Sequence, residues 1–329
     1  MESVAQLLGR SGELALQAEQ RIRPYVLDTP LEPSLPLSRE TGAQVYLKLE
    51  NLQRTGSFKL RGAMNKVLTC SKAEQRRGLV AASTGNHGLA VTHAVAEAGC
   101  SATVFLPEHT APVRIEALRE RGAEVVLHGV DCEQTERFAR ATAQAENRTF
   151  VSPYNDAEVV AGQATIGVEL VRQLDGEADA LFTSVGGGGL IAGVGGFVRR
   201  VWSRAEVVGC WPQYSPALYQ CLRAGRIHPV PSRPTLSDAT AGGVEPGTIT
   251  FEACRELIDH GVLVSEAEIR RAIRFVFERH GYVIEGAAGV AVAGLLKDRE
   301  RYRGKTVVIV LCGRNIGLDA LRSCGVAGG

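Results

Sequence analysis

Ala180-Leu181-Phe182-Thr183-Ser184-Val185-Gly186-Gly187-Gly188-Gly189-Leu190-Ile191-Ala192-Gly193-Val194 reads as an apolar strand, a glycine run and an apolar helix in direct succession. A flexible linker would be polar on both flanks, and this run is apolar on both. Backbone N–H groups without side chains, placed at a helix N-terminus, form a phosphate cradle. Gly187, Gly189 and Ala192 also fit a dinucleotide pattern, but the next strand ends at Cys210-Trp211, where that pattern needs an acid for a ribose. No Lys-Ser/Thr pair follows the glycines, so the run is not a P-loop.

The strand-to-helix rhythm extends outward on both sides. Upstream, strands at 78–83, 102–106, 123–127 and 149–152 alternate with helices at 87–99, 111–122 and 132–146. Downstream of a helix at 159–174, strand 179–185 leads to helix 190–201 and strand 206–210. Residues 213–250, rich in Pro, Ser and Gly, read as a long loop region. Helices near 251–260, 266–280 and 286–296 follow, then an apolar strand at 306–311. Strands alternating with helices of this length imply parallel βαβ units, here two α/β lobes with a cleft between them. Towards the N-terminus, a helix at 3–24 precedes a strand through Val45, Leu47 and Leu49. Thr55-Gly56-Ser57 then reads as a turn, with Ser57 capping a helix whose first turn holds Lys59.

A net charge of +1 over 329 residues, with basic residues scattered, gives no reason to expect nucleic acid or an acidic membrane as partner. No window approaches the length of apolar chain that spans a bilayer, and the N-terminus lacks the pattern of a signal peptide. The eight cysteines include no Cys-x-x-Cys pair, which fits reduced thiols in a cytoplasmic protein.

Four stretches could carry chemistry. A lysine at the positive end of a helix dipole, partly buried, has a depressed pKa and suits an imine-forming nucleophile. Ser83-Thr84-Gly85-Asn86-His87 offers hydroxyl, amide and imidazole groups beside exposed N–H, as a carboxylate-binding loop does. Cys312 lies at the C-terminal end of the last strand, where ligands of open α/β sheets sit. Glu285, between apolar residues and a small-residue helix start, invites a partner charge or a ligand. Taken alone, each has an ordinary reading: an exposed lysine, a polar turn, a buried thiol, a capping or salt-bridging acid.

Together they resemble the fold-type II pyridoxal-phosphate enzymes of the serine/threonine dehydratase and serine racemase branch, over about residues 5–320 and in the same order. The stretches that carry the resemblance are Lys48 to Ala63, Ser83 to Gly88, Ala161 to Thr165, Gly186 to Gly189, Ile284-Glu285 and Cys312 to Asn315. The resemblance implies a tryptophan synthase β-like α/β fold, two open parallel-sheet domains with the cofactor in the cleft. Residues 1–70 and 154–329 would form the large cofactor-binding domain, and 76–153 a small mobile one. Lys59 would hold pyridoxal phosphate as an internal aldimine, with Phe58 packed against the ring. Asn86 would bond the ring hydroxyl, Gly186, Gly187, Gly188, Gly189 and Leu190 the phosphate, and Ser83, Thr84 and His87 the substrate carboxylate. Cys312 would face the pyridine nitrogen, and Glu285 would lie beside the ring.

A thiol cannot keep that nitrogen protonated as an aspartate would, which favours prompt loss of a β-hydroxyl over a long-lived carbanion. The implied reaction is dehydration of a 3-hydroxy amino acid, such as L-threonine, L-serine or a bulkier phenylserine, to a 2-oxo acid and ammonia. The alternative is a serine or aspartate racemase, against which Thr84 counts, because racemases of this branch have a serine there. Trp211 and Ala217 stand where several members bind a divalent cation, so no metal is expected. Ala164 replaces a glycine, and Arg314 adds a long cation near the cofactor, for a substrate carboxylate or a surface acid. A chain ending near 329 implies no feedback-regulatory domain, and the family implies a homodimer.

Overall fold

The structure, a computed structural model, describes residues 4–326, with side chains from residue 12 onward. The expected start of the first helix at residue 3, and the domain ends at 1–3 and 327–329, lie outside the described residues. The described residues form ten strands: β1 Leu31–Pro33, β2 Gln44–Lys48, β3 Leu79–Ala82, β4 Ala102–Leu106, β5 Glu124–Leu127, β6 Thr149–Phe150, β7 Ala180–Ser184, β8 Glu206–Pro212, β9 His260–Val264 and β10 Thr306–Val310. They make a six-stranded sheet, β1-β2-β10-β7-β8-β9, and a four-stranded sheet, β5-β4-β3-β6.

Every pairing is parallel except the short edge strand β1, which runs antiparallel to β2. In the larger sheet the chain moves outward from β7 through β8 to β9, then returns to β10 on the other side of β7. That reversal opens a crevice at the C-terminal ends of β7 and β10, the general ligand position of open α/β sheets. The glycine run follows β7 and Cys312 follows β10. Both sheets are covered on both faces. One core joins Val45, Leu47, Phe182 and Ile309 to the helix Gly286–Lys297, apolar in all but its last residue. Another joins Leu60, Met64 and Val67 of the Lys59 helix to Leu79 and Ala81 of β3.

Three elements differ from the sequence reading. Residues 213–250 are not all loop: Ala217–Ala224 is helical, ended by Gly225 at a φ of 68°. The helix expected to reach 260 stops at Leu257, and His260–Val264 forms β9, pairing with β8 at the sheet edge. A further helix, Leu35–Thr41, is capped by Ser34, whose Oγ accepts the Leu37 N–H at 3.2 Å. Among the described residues no helix is long and apolar enough to cross a membrane.

Candidate active site

The Lys59 helix spans Lys59–Thr69 and begins on Phe58, with no side-chain cap. Ser57 therefore does not cap it, contrary to expectation. Its backbone is occupied instead in an antiparallel bridge to Gly313, and the next N–H, of Phe58, donates to the Cys312 carbonyl at 3.0 Å. The Ser57 hydroxyl is buried without a protein partner. This bridge pins the lysine-bearing turn to the end of β10. Lys59 Nζ donates to the Pro153 carbonyl at 2.8 Å and lies 5.2 Å from the Phe58 ring centre. Burial pulls its pKa down to about 8, against the opposing influence of Cys312 and Glu285.

Cys312 is 1% exposed, with Sγ 3.5 Å from the Ser184 hydroxyl at the end of β7. Burial, then the neighbouring Glu285, pushes its pKa well up, so it stays a neutral thiol. Glu285 is 2% exposed, and burial raises its pKa to about 7. Both of its oxygens accept from Asn86 Nδ2 at 2.9 Å. Asn86 Oδ1 in turn accepts from Asn315 Nδ2 at 2.6 Å, and Asn315 also donates to the Thr55 carbonyl at 2.9 Å. One chain of amides thus joins the Ser83–His87 loop to both ends of the larger sheet's site. A Cβ on Gly313 would lie 2.6 Å from the Glu285 carboxylate, so this close approach requires glycine.

His87 is buried, and its Nε2 lies 2.8 Å from the Val151 carbonyl. A carbonyl only accepts, so Nε2 carries the proton. Burial and then the charge of Lys59 lower the His87 pKa to about 3, leaving it neutral. Ser83 and Thr84 are partly exposed on the same loop. Ser83 Oγ accepts the Gly85 N–H at 3.3 Å, and the Thr84 hydroxyl lies 3.5 Å from an Arg114 nitrogen.

The glycine run opens the helix Gly189–Val201, with Gly188 as its cap at a φ of 88° and no capping side chain. Its first N–H groups are left for a ligand. Tyr154 packs against it: a Cβ on Gly187 would fall 2.4 Å from the Tyr154 ring. Tyr154 itself is fixed by its hydroxyl, which accepts the Glu245 N–H at 3.0 Å. Leu190, buried at 6% exposure, follows as the second residue of the helix.

These donors suit pyridoxal phosphate. Uncapped N–H groups suit a phosphate, a desolvated amine suits an aldehyde, and a neutral thiol suits an unprotonated pyridine nitrogen. The orphaned Ser57 hydroxyl is two residues before Lys59. Arg314 is exposed, with its backbone N–H donating to the Gly56 carbonyl at 2.8 Å. Trp211 is buried, 5.3 Å from the Tyr219 ring, and Ala217 opens a helix. Among the described residues no group of three His, Cys, Asp or Glu could hold a metal ion.

Two contributors escaped the sequence reading. Asn315 ended a recognised stretch without a role, and the contact of Tyr154 with the glycines was not foreseen. Neither has a local signal, because both act through residues distant in the chain.

A family model described as pyridoxal-phosphate dependent enzyme matches residues 22–313. The chain is 39% identical over 305 residues to an L-threonine ammonia-lyase of Thermotoga maritima, covering 93% of this chain and 75% of that one. Its fold is similar to the processed form of threonine deaminase isoform 2 from Solanum lycopersicum, with a TM-score of 0.92 and 32% identity over 97% of this chain and 87% of that one. It is also similar to serine racemase from Dictyostelium discoideum, with a TM-score of 0.86 and 30% identity over 93% and 98% of the two chains. The chain belongs to the pyridoxal-phosphate dependent enzymes, with the fold-type II architecture that its glycine run, its Lys59 turn and its two sheets imply.

Proposed function

We propose that this enzyme is a dehydratase, or ammonia-lyase, that removes water from a 3-hydroxy amino acid such as L-threonine or L-serine, or a bulkier analogue such as phenylserine. The products are a 2-oxo acid and ammonia. The observation that carries the reading is the pairing of a desolvated Lys59 amine with a neutral, buried Cys312, held together by the Ser57–Gly313 bridge.

Pyridoxal phosphate, when bound, supplies an electron sink that acidifies the substrate's α-carbon. Lys59 would hold it, with Phe58, Asn86, Glu285 and Cys312 around its ring and Gly186–Gly189 with Leu190 at its phosphate. Ser83, Thr84 and the start of the helix Asn86–Ala98 would receive the substrate carboxylate. A neutral His87 contributes no cation there, so N–H dipoles and hydroxyls carry that recognition. Lys59, as a free amine, takes the α-proton and can return it to the departing hydroxyl as water. A neutral Cys312 does not add positive charge beside the sink, which disfavours holding charge at the α-carbon and favours prompt elimination. The released enamine then takes up water to give the 2-oxo acid and ammonia.

The similarity to serine racemase supports the second reading, a serine or aspartate racemase. Thr84, branched and beside Arg114, stands where an opposite-face base would act. Purified protein incubated separately with L-serine, L-threonine and L-threo-3-phenylserine, with 2-oxo acid and D-isomer measured apart, decides between them. Oxo acid without D-isomer supports the dehydratase, D-isomer in excess supports the racemase, and no oxo acid from any of the three overturns the first reading.

The small sheet with its helices, residues 76–153, is proposed to move against the unit formed by residues 1–70 and 154–329. We also assign a homodimer, checked by light scattering, and a cytoplasmic setting, which eight unpaired cysteines favour.

A further inference from the structure

Behind Lys59 lies a set of buried charges that the reaction above does not use. Arg61, fully buried, donates through Nε and NH2 to Glu50 at 2.8 and 2.7 Å. Through NH1 and NH2 it donates to Glu169 at 2.7 and 2.8 Å, and NH1 also reaches the Thr165 hydroxyl at 3.2 Å. All five guanidinium N–H groups therefore have acceptors, four on two opposed carboxylates and one on the Thr165 hydroxyl. Glu169 also accepts from Lys48 Nζ at 2.5 Å and Arg23 at 2.7 Å, while Glu50 accepts from the Thr29 hydroxyl at 2.5 Å. Lys48, Glu50 and Glu169 are fully buried.

These residues come from four different places. Lys48 ends β2, Glu50 lies in the turn after it, Arg61 is on the Lys59 helix, and Glu169 is on the helix Ala157–Gln173. That last helix also backs the glycine-run helix: a Cβ on Gly193 would lie 2.6 Å from the Val160 carbonyl. Against the Lys59 helix it approaches as closely, with a Cβ on Gly162 falling 2.6 Å from Gly62 Cα. Residues two apart on a helix project about 200° from one another. The Arg61 side chain therefore grips the back of the turn whose front presents Lys59.

We infer that Arg61, clamped between Glu50 and Glu169, is a positioning residue that fixes the roll of the Lys59 helix against the helix Ala157–Gln173, and so the spacing between the lysine amine and the phosphate-binding glycines. Apolar packing would stabilise such a core as well as buried ions do. Five directional N–H bonds add geometry, which apolar contacts lack. A lysine cannot reproduce them, having no planar fork. The inference rests on Lys59 being the cofactor lysine, and extends that reading to what holds it.

The test compares full-length wild type, Arg61→Lys and Ile166→Val, a core change on the facing helix Ala157–Gln173 that weakens packing without touching the clamp. Each protein is freed of cofactor, mixed with pyridoxal phosphate, and followed by its near-visible band for the rate of attachment. The kcat and KM on the best substrate and the thermal midpoint are measured alongside. Arg61→Lys should attach the cofactor roughly 10-fold more slowly or worse, and lose kcat by a similar factor with KM little changed. Ile166→Val should lower the midpoint and leave both rates within about twofold. An Arg61→Lys protein with a lower midpoint but both rates within about twofold of wild type would show a purely structural role and overturn the inference. Should Arg61→Lys not fold, Thr165→Val, which removes one acceptor and no charge, is read the same way: slower attachment supports the inference and an unchanged rate overturns it. Borohydride reduction and peptide mapping of the wild type keep the two readings apart, since a label away from Lys59 sinks the functional reading itself.

Discussion

Lys59 sits where two effects agree. A cation at the first position of a helix meets the positive end of the dipole, and burial removes its water. Its pKa of about 8 means that a sizeable share is free amine near neutrality. The rate of pyridoxal phosphate attachment should therefore rise with pH and level off above about 8, as stopped-flow absorbance across a pH series would show. Lys59→Ala should lose on the order of 10³-fold in turnover, the usual contribution of a positioned base, in a protein of unchanged thermal midpoint. Glu285 offers a separate test. Its pKa is raised from an ordinary 4.5 to about 7, so the folded chain holds that proton more tightly than the unfolded one. Between those values the unfolded state has lost the proton first, and stability falls as pH rises through the window. Glu285→Gln should make the cofactor-free protein less pH-dependent there, by roughly 3 kcal/mol between pH 4.5 and 7 in denaturant titrations. Equal slopes for the two proteins would contradict this.

At the scale of elements, the glycine run makes the sharpest demand. Gly188 holds a φ of 88°, and a Cβ there would also lie 2.7 Å from Cys254 Sγ. Gly188→Ala should cost about 1–2 kcal/mol from the backbone alone and weaken cofactor binding, measurable by equilibrium dialysis. This element was legible in the sequence because strand, turn and helix are contiguous and their apolar flanks are unambiguous. Ser57 was not. It has the chemistry of a cap, and only the long-range bridge to Gly313 shows that its backbone is already committed. β9 was hidden for a similar reason. His260-Gly261-Val262-Leu263-Val264 is a short edge strand between two amphipathic helices, with a helix pattern running into it. The charged clamp was the least legible feature. Lys48 and Glu50 flank the apolar positions of β2 and read as its exposed face. They are buried because Glu169 of the helix Ala157–Gln173 meets Lys48, and Arg61 of the Lys59 helix meets Glu50, contacts of tertiary packing that no local pattern carries.

For the whole molecule, side chains of the small unit reach the larger one across the proposed cofactor cleft. Two pairs cross it to a single segment of the larger unit: Arg114 to Asp238 at 3.4 Å and Arg140 to Glu245 at 3.0 Å. Arg140 is the firmer, since it also bonds Glu136 and stacks 4.2 Å above the Phe150 ring. Half-exposed pairs of this kind contribute little to stability. If the small unit moves as proposed, Arg140→Ala should therefore raise KM severalfold with little change in thermal midpoint, and high salt should mimic part of that effect in the wild type. A KM indifferent to both would argue against the contact closing the site. The architecture was readable from the βα rhythm, whereas these crossings depend on how the two units face one another.

The central claim is that Lys59 carries the cofactor between the glycine run and Cys312. Its most direct test is reduction of the pyridoxal phosphate-loaded protein with borohydride, followed by peptide mapping. The account predicts one phosphopyridoxyl-modified peptide, containing Lys59. Modification of a different lysine, or of none, would contradict it.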